Sequence, residues 1–210
     1  MRNQNDFNLI APFYDGLSKL VFGNKIKNAQ IESLDFIPPD SAILIMGGGT
    51  GWILDEISKK FPTGLDITYI DKSSRMVQLS QKRNRGLNTI AFVNDSIENA
   101  CLASEKYNVI LTPFFLDCFS QLSLQPVFKK LDDSLKPGGL WINIDFYLSQ
   151  KSKYRHKILT KLMYLFFRFF SSIEAGKLPS VTPFFSNYII YKTNMYFNNF
   201  ITVQVFKKSM

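Results

Sequence analysis

The sequence predicts an α/β fold built on an open, mostly parallel sheet with helices on both faces. The first observation is an apolar segment, residues 43–46, that runs directly into a glycine cluster at 47–51. The second is the helical spacing of the apolar residues at 53, 54, 57 and 61. The third is a series of short apolar segments further along the chain that alternate with helical patterns. Such an alternation is typical of a doubly wound parallel sheet.

The glycine cluster is the predicted ligand site. A strand, a glycine turn and a helix N-terminus expose backbone N–H groups that suit an anion or a polar cofactor. The spacing Gly47, Gly49, Gly51 is one residue shorter than the G-x-G-x-x-G of dinucleotide folds. The second apolar segment, 67–70, ends at Asp71, whose carboxylate can accept hydrogen bonds from ribose hydroxyls.

These residues carry a family resemblance. The segment ILIMGGGTGW followed by ITYID resembles the class I S-adenosylmethionine-dependent methyltransferases. The resemblance implies a Rossmann-like, doubly wound, seven-stranded sheet, mostly parallel with an antiparallel C-terminal strand. It also implies S-adenosylmethionine as cofactor and S-adenosylhomocysteine as product. The implied cofactor-binding residues in these two segments are Gly47, Gly48, Gly49, Thr50, Gly51 and Asp71.

Length and composition bound the remaining possibilities. With 210 residues the chain is expected to form one domain, made of an N-terminal helical lid (1–36), a cofactor-binding core (37–150) and a C-terminal region (151–210). Cys101 and Cys118 do not make a disulfide framework, and one histidine gives no metal-ligand cluster. No apolar signal region follows Met1, so a cytoplasmic location is expected.

Charge and aromatic residues are unevenly distributed. Residues 1–150 contain 15 Lys and Arg against 16 Asp and Glu, a net charge of −1. Residues 151–210 contain 10 Lys and Arg against one acidic residue, Glu174, a net charge of +9, together with 14 of the 31 aromatic residues. This pattern indicates contact with an anionic surface, an acidic partner or a lipophilic substrate. A solvated lysine face over an aromatic core is the equal alternative.

The N-terminal residues 7–36 have helical spacing. Within them, FNLIAPFYDGLSKLVFG resembles the N-terminal segment of the ubiquinone/menaquinone C-methyltransferase-like branch, where this segment lies over the cofactor. The resemblance makes Tyr14 a candidate lid residue over the methyl group. Packing of Tyr14 between the helix and the sheet is the alternative.

The second and third strands supply the expected adenosine site. Ser73 and Ser74 fit a capped helix start, and the resemblance places Lys72 and Met76 beside the adenosine. Met76 at helical spacing is also typical of a core residue. The third strand, 90–93, ends before a second group of candidates. By resemblance Asp95 accepts the adenine amino group, with Ser96 and Ile97 beside it, whereas a helix N-cap is the other reading of Asp95.

Strands four (107–112) and five (141–146) supply the catalytic candidates, because ligands bind outside the carboxyl ends of such strands. Thr112 is expected at the cofactor. Asp117, the charged group among apolar neighbours at 113–116, is the first candidate for orienting a substrate or accepting a proton, or it caps a helix. Asp145 and Tyr147 are the secondary catalytic candidates.

Beyond residue 150 the pattern is weaker. Residues 153–173 predict a long helix whose wide apolar face is interrupted by Lys161 and Arg168, which argues against a membrane span. Such a helix lies in a membrane interface, packs on the sheet or pairs with a second copy as a homodimer. Residues 187–206 predict two strands around Asn198-Asn199, or alternatively a helix at 183–192.

Two residues depart from the family, and the histidine is considered with them. Ile45 replaces the acidic residue usual two positions before the first glycine, and Asn108 replaces an Asp at the start of strand four. His156, the one histidine, lies among cations and is interpreted as a solvated helix residue, with a role as base the remote alternative.

The sequence therefore predicts methyl transfer by in-line displacement to a small, apolar acceptor of a quinone-, phenol- or lipid-like kind. The protein mainly has to align acceptor and donor, and no metal is obligatory. The first alternative is a nucleic-acid methyltransferase, but residues 112–115 contain only half of the usual base-holding motif and nucleic acid is not the favoured partner. The second is a cofactor-binding module without catalysis.

Overall fold

The computed structural model describes residues 7–148, 154–171 and 173–210. A seven-stranded sheet of order β3-β2-β1-β4-β5-β7-β6 forms its centre. Only β7 runs antiparallel to its neighbours, β5 and β6, while β1 to β5 pair in parallel. The predicted fold class is therefore confirmed. The strands are β1 Ala42–Met46, β2 Asp66–Asp71, β3 Thr89–Asn94, β4 Tyr107–Pro113, β5 Leu135–Phe146, β6 Tyr188–Tyr196 and β7 Ile201–Lys208.

The central strands are buried because their residues are apolar on both faces. In β1, residues 43–46 are at most 1% exposed, as expected for a parallel strand covered by helices on both sides. Ile45 pairs with Tyr69 on one neighbouring strand and Leu111 on the other. An apolar side chain is thus well suited to this position in the core.

Among the described residues, six α-helices cover the sheet. Their bounds are α1 Tyr14–Phe22, α2 Lys25–Ser33, α3 Trp52–Lys60, α4 Ser74–Ser80, α5 Gln121–Ser134 and α6 Tyr154–Phe170. The predicted N-terminal helix is divided at Gly23, where the backbone has a φ of 59° and α1 ends. The helix starts at α4 and α5 are capped by serine hydroxyls, since Ser73 Oγ accepts from Met76 N and Ser120 Oγ accepts from Ser123 N.

The C-terminal strands form the predicted hairpin. Phe197, Asn198 and Asn199 connect β6 to β7 in left-handed backbone conformations, with φ between 51° and 66°. The alternative of a helix at 183–192 is wrong, because only a short 3-10 turn, Thr182–Phe185, precedes β6. Phe185 stacks on Phe206 of β7, with ring centroids 3.8 Å apart, and this contact fixes the turn on the sheet.

The helix α6 differs from its prediction in what it buries. Lys153, the predicted first residue, lies outside the described residues. His156 is 6% exposed and its ring stacks on Phe200 at 4.8 Å between centroids, so the interpretation as a solvated residue is wrong. Arg155 and Lys157, the neighbouring cations, are exposed, but the imidazole of His156 lies on the buried side of the helix and packs on an aromatic ring. Within the described part of the chain, no helix has the length and apolarity needed to cross a membrane.

Candidate functional site

The glycine turn between β1 and α3 is packed so tightly that side chains are excluded from it. A Cβ on Gly48 would lie 2.2 Å from the ring of Tyr69, which is fully buried beneath the turn. Gly49 has a φ of 65°, and a Cβ there would meet nothing within 4 Å. The bare backbone of Gly49 therefore faces open space, as is typical where a ligand lies against the main chain. Tyr69 Oη donates to Gly49 O at 3.0 Å and holds the turn in place.

Asp71 joins the glycine turn to the end of β2. Its Oδ2 accepts from Gly49 N at 2.8 Å, and its Oδ1 accepts from Ser73 N at 2.9 Å. The side chain is 9% exposed at the wall of the cleft above the turn. A carboxylate accepts about four hydrogen bonds in all, so these two backbone contacts are compatible with a further contact to a ligand hydroxyl.

That cleft lies at the carboxyl ends of β1, β2 and β4 and has an empty volume of about 1070 Å³ including its open mouth. Glycine backbone and polar groups form one part of its wall, and apolar side chains form the rest. The residues of the sequence-predicted site that line it are Tyr14, Gly47, Gly48, Gly49, Thr50, Asp71, Lys72, Met76, Ser96 and Ile97. The structure thus brings together in one cleft most of the residues expected at the cofactor.

Three expected cofactor residues do not line the cleft. Gly51 is the buried N-cap of α3. Asp95 precedes no helix, which corrects the N-cap reading, and its Oδ1 accepts from Ser96 N at 2.8 Å. Thr112 is fully buried within the sheet, where its hydroxyl donates to Asn143 Oδ1 and accepts from Trp141 Nε1. Thr112 is therefore a core hydrogen-bonding residue, because side chains alternate along β4 and its side chain points away from the cleft.

A hydrogen-bonded latch holds the N-terminal segment over the cleft. Asp15 accepts from Thr50 Oγ1 at 2.7 Å and from Arg83 Nη2 at 2.9 Å. Arg83 also donates to Thr50 O and pairs with Asp55 on α3. These contacts tie α1 to the glycine turn and to the segment after α4. Sequence reasoning missed Asp15 and Arg83, because they are 68 residues apart and a single sequence gives no sign of the pairing.

A second anchor lies at the start of α4. Asn8 Oδ1 accepts from Ser73 Oγ, Ser74 Oγ and Arg75 N, and so supplies capping contacts from outside the helix.

Phe7 and Tyr14 lie edge to face at the cleft, with ring centroids 6.2 Å apart. Burial raises the pKa of Tyr14 above its ordinary value, and Cys118, Asp117 and Asp15 add to the effect. The Tyr14 hydroxyl is protonated at neutral pH, as an ordinary tyrosine is, and the raised pKa makes its ionisation still less favourable.

The catalytic candidates are brought together, but in a different cavity. Asp117, Asp145 and Tyr147 line an acid cavity beside β5 and β7, and none of them lines the cleft. Phe114 causes this: its backbone has a φ of 52° and its N–H donates to Ile144 O, so the chain turns sharply where β4 ends. The expectation that Asp117 belongs to the apolar floor of the cleft is corrected accordingly.

The two carboxyl groups in the acid cavity form an interacting pair. Asp117 N donates to Asp145 Oδ2 at 3.2 Å, and both side chains are 5% exposed. Burial raises the pKa of Asp117 to about 6. Burial and the neighbouring Asp117 charge raise the pKa of Asp145 well above its ordinary value. One carboxyl therefore holds its proton more strongly than an exposed aspartate does.

A third, apolar cavity adjoins the cleft between α1 and α6. Its empty volume is about 910 Å³ including its mouth, and Tyr14, Ser18, Ile26 and Phe114 line both spaces. The other lining residues are apolar: Leu17, Val21, Phe22, Phe146, Leu159, Leu162, Met163, Phe166 and Phe167. A ligand in this cavity would reach the cleft at Tyr14 and Phe114.

The geometry of the cleft fits a nucleoside-bearing cofactor. Gly49 leaves open space beside its backbone, Asp71 presents a carboxylate, and Met76 and Ile97 present apolar surface on the same wall. Hydroxyls of a sugar suit the carboxylate, and the face of a planar ring suits the apolar side chains.

Comparison of the sequence with protein families gives a match to the family described as "Methyltransferase domain" over residues 43–139. The malonyl-[acyl-carrier protein] O-methyltransferase of Priestia megaterium is 33% identical over 133 residues, which are 63% of this chain and 47% of that protein. The ubiquinone/menaquinone biosynthesis C-methyltransferase of Geotalea daltonii is 25% identical over 195 residues, 90% of this chain and 77% of that protein. The chain spans about half the length of the first of these relatives.

Two solved structures show the same fold at low identity. A putative methyltransferase in complex with the Trm112 activator from Haloferax volcanii has a TM-score of 0.72 at 11% identity, covering 99% of this chain and 100% of that one. The 1,6-didemethyltoxoflavin-N1-methyltransferase of Burkholderia thailandensis, solved with its substrate and S-adenosylhomocysteine, has a TM-score of 0.64 at 11% identity, covering 96% and 85%. At this identity the likeness establishes the fold.

Proposed function

We propose that the chain is a class I S-adenosylmethionine-dependent methyltransferase, a reading that the family match over residues 43–139 supports, and that it methylates a small, apolar acceptor held between α1 and α6. One observation carries this proposal: the apolar cavity adjoins the cleft, and Tyr14 and Phe114 line both spaces. An acceptor in the cavity would therefore approach the cofactor cleft without crossing solvent. In this proposal the reaction takes place in the cytoplasm, at a membrane surface.

The cleft residues would bind and orient the cofactor. Gly49 would offer its backbone to the amino-acid part, Asp71 its carboxylate to the ribose, and Ile97 its side chain to the adenine ring. Met76, Lys72 and Ser96 complete the adenosine side in this proposal. When bound, S-adenosylmethionine supplies a methyl group that is already activated by the positive sulfonium sulfur. The contribution of the chain is therefore alignment and exclusion of water.

Tyr14 is proposed as the lid residue between donor and acceptor. It lines both spaces, and Phe167 on α6 packs on it with ring centroids 6.4 Å apart. Its raised pKa keeps the hydroxyl protonated, so it can donate to an acceptor oxygen but does not act as a base at neutral pH. The Tyr14 hydroxyl thus fixes which end of the acceptor faces the cleft.

The lining of the apolar cavity also limits the chemistry of the acceptor. Among the described residues that line it, Tyr14 is the sole ionisable side chain. Asp117 and Asp145, the expected bases, lie in the acid cavity instead. We therefore propose an acceptor whose attacking atom is nucleophilic without a protein base, such as an acidic phenol, an enolised ring carbon or a carboxylate on an apolar body.

The proposal is tested by methyl transfer from radiolabelled S-adenosylmethionine into cell extract, followed by extraction into an apolar solvent. Label is expected in the apolar fraction. Leu17→Arg places a charge in the cavity away from the cleft lining, and it is expected to abolish labelling while calorimetric binding of S-adenosylhomocysteine is retained. Exposed Leu122→Arg on α5 is the matched control. Label found only in polar products would contradict the proposed acceptor class.

The same assay separates the competing functions. Labelled RNA or DNA, with binding that weakens steeply as salt rises, would favour a nucleic-acid methyltransferase. Tight binding of S-adenosylhomocysteine with no labelled product from any extract would favour a binding module without catalysis. This alternative is considered because the apolar Ile45, buried in β1, stands where the family usually has an acidic residue. Self-association through the C-terminal region is the alternative to membrane contact that is tested below.

A further inference from the structure

The outward face of α6 is apolar although solvent surrounds it. Tyr154, Ile158, Leu162 and Leu165 are 77%, 41%, 58% and 68% exposed. They recur at three- and four-residue steps and form one stripe along the helix. The opposite face of α6 is buried and includes two polar residues, His156 and Thr160, each 6% exposed. The helix therefore presents an apolar stripe to solvent as well as to the core.

Exposed apolar residues also lie on α1, beside the apolar cavity. Leu20 is 83% exposed, and Val21, which lines the cavity, is 40% exposed. Leu162 lines the cavity from the α6 side. Exposed apolar residues thus border the cavity entrance on both helices, and we call this the entrance patch: Leu20, Val21, Tyr154, Ile158, Leu162 and Leu165. Contiguous exposed apolar surface of this kind marks an interaction site.

The charges beside the entrance patch are positive. Arg155, Lys157 and Lys161 are exposed on α6, and Lys19 is exposed on α1. The α6 sequence contains no Asp or Glu, and Asp15 of α1 is engaged by Thr50 and Arg83. An apolar stripe bordered by cations is the composition of helices that lie in the interface of an anionic bilayer.

We propose that the entrance patch docks on an anionic lipid bilayer, with the mouth of the apolar cavity facing the membrane. The inference rests on the proposed function in one respect: the docked mouth lets a lipophilic acceptor pass from the bilayer into the cavity. A second copy fits less well, because a two-fold contact through this patch would bring Lys157 and Lys161 of both copies together. The cations match an anionic lipid surface instead.

The test is co-sedimentation of the full chain with vesicles of phosphatidylcholine, and with vesicles of phosphatidylcholine and phosphatidylglycerol in equal amounts. The protein is expected to sediment with the mixed vesicles and to be released by high salt. Ile158→Asp with Leu165→Asp, and separately Lys157→Glu with Lys161→Glu, are each expected to weaken vesicle binding at least tenfold. None of these four residues lines the cleft or the apolar cavity.

Matched controls distinguish the patch from general charge. Leu122→Asp alters an apolar residue that is 88% exposed on α5, and Lys82→Glu with Lys192→Glu reverses two exposed lysines elsewhere. Both controls are expected to bind vesicles like the parent chain. Absence of binding to the mixed vesicles, or equal loss in the controls, would overturn the proposal. A dimer in sedimentation velocity that Ile158→Asp with Leu165→Asp dissolves would assign the patch to a second copy and also overturn it.

Failure here is separable from failure of the proposed function, because vesicle binding requires no methyl transfer. Methyl transfer to apolar acceptors in detergent is expected to be the same for the patch variants and the parent chain. Vesicle binding without any apolar product would contradict the proposed acceptor class and would still support the docking surface. Apolar products without vesicle binding would support the proposed acceptor class and contradict the docking surface.

Discussion

Asp117→Asn is expected to stabilise the protein at neutral pH. Burial raises the pKa of Asp117 from 3.8 to about 6, so between about pH 4 and pH 6 the folded state holds a proton that the unfolded state has released, and above that range both states are ionised. One pKa unit is worth about 1.4 kcal/mol, and the ionised carboxyl therefore destabilises the fold by about 3 kcal/mol. This penalty is absent below about pH 4, grows between about pH 4 and pH 6, and is constant above that range.

The amide removes this penalty without removing the contacts. An asparagine oxygen can still accept from Cys118 Sγ, which lies 3.6 Å from Asp117 Oδ1. Its NH₂ group can donate to Asp145, whose own pKa falls when the neighbouring negative charge is lost. We expect Asp117→Asn to raise the free energy of unfolding by about 1 to 3 kcal/mol at pH 8 and to leave it nearly unchanged at pH 4.

Urea denaturation at half-unit steps between pH 4 and pH 8 measures this difference. The quantity that matters is the variant minus the parent chain, because carboxyls other than Asp145 are expected to titrate equally in both. The lowered pKa of Asp145 in the variant acts in the same direction and adds to the expected difference. Asp66→Asn, at an exposed position at the start of β2, is the control for a charge change alone and is expected to show no such difference. A loss of stability in Asp117→Asn at pH 8, or a difference that does not vary between pH 4 and pH 6, would refute the reasoning.

Three further substitutions test the cleft and the core around it. Gly48→Ala places a Cβ 2.2 Å from the Tyr69 ring, so we expect loss of S-adenosylhomocysteine binding by calorimetry, and unchanged affinity would contradict the packing described. Asp71→Ala removes the acceptor of Gly49 N–H and is expected to weaken the same binding at least tenfold; equal affinity would exclude Asp71 from the site. Thr112→Val leaves the Trp141 N–H without its acceptor and is expected to lower the free energy of unfolding by about 1 to 3 kcal/mol. The binding of S-adenosylhomocysteine by Thr112→Val should not change, since a change would place Thr112 at the cofactor after all.

The parts of the fold that sequence predicted well are those fixed by local backbone chemistry. A buried strand, a glycine turn and a capped helix each leave a pattern within about ten neighbouring residues. The ends of parallel strands then meet at one edge, which places Asp71 and Gly49 together without any knowledge of long-range contacts. The cleft could be predicted for this reason.

The errors arose where one backbone conformation or one distant contact decided the outcome. The left-handed Phe114 redirects the chain after β4 and carries Asp117 into a different cavity. Non-glycine residues rarely adopt such a conformation, so the pattern favoured a continuous floor. The burial of His156 depends on Phe200 of the C-terminal hairpin, and helical spacing alone cannot place that partner.

The latch of Asp15, Thr50 and Arg83 has a kinetic consequence. The segment that it holds covers the cleft and contributes Tyr14 to its wall. In the proposed function, entry of the cofactor and departure of the product require these contacts to break and reform, so the residence time of the product depends partly on Arg83, which does not line the cleft. The rate at which cofactor and product exchange is then expected to change on substitution of Arg83, while the residues that line the cleft stay the same.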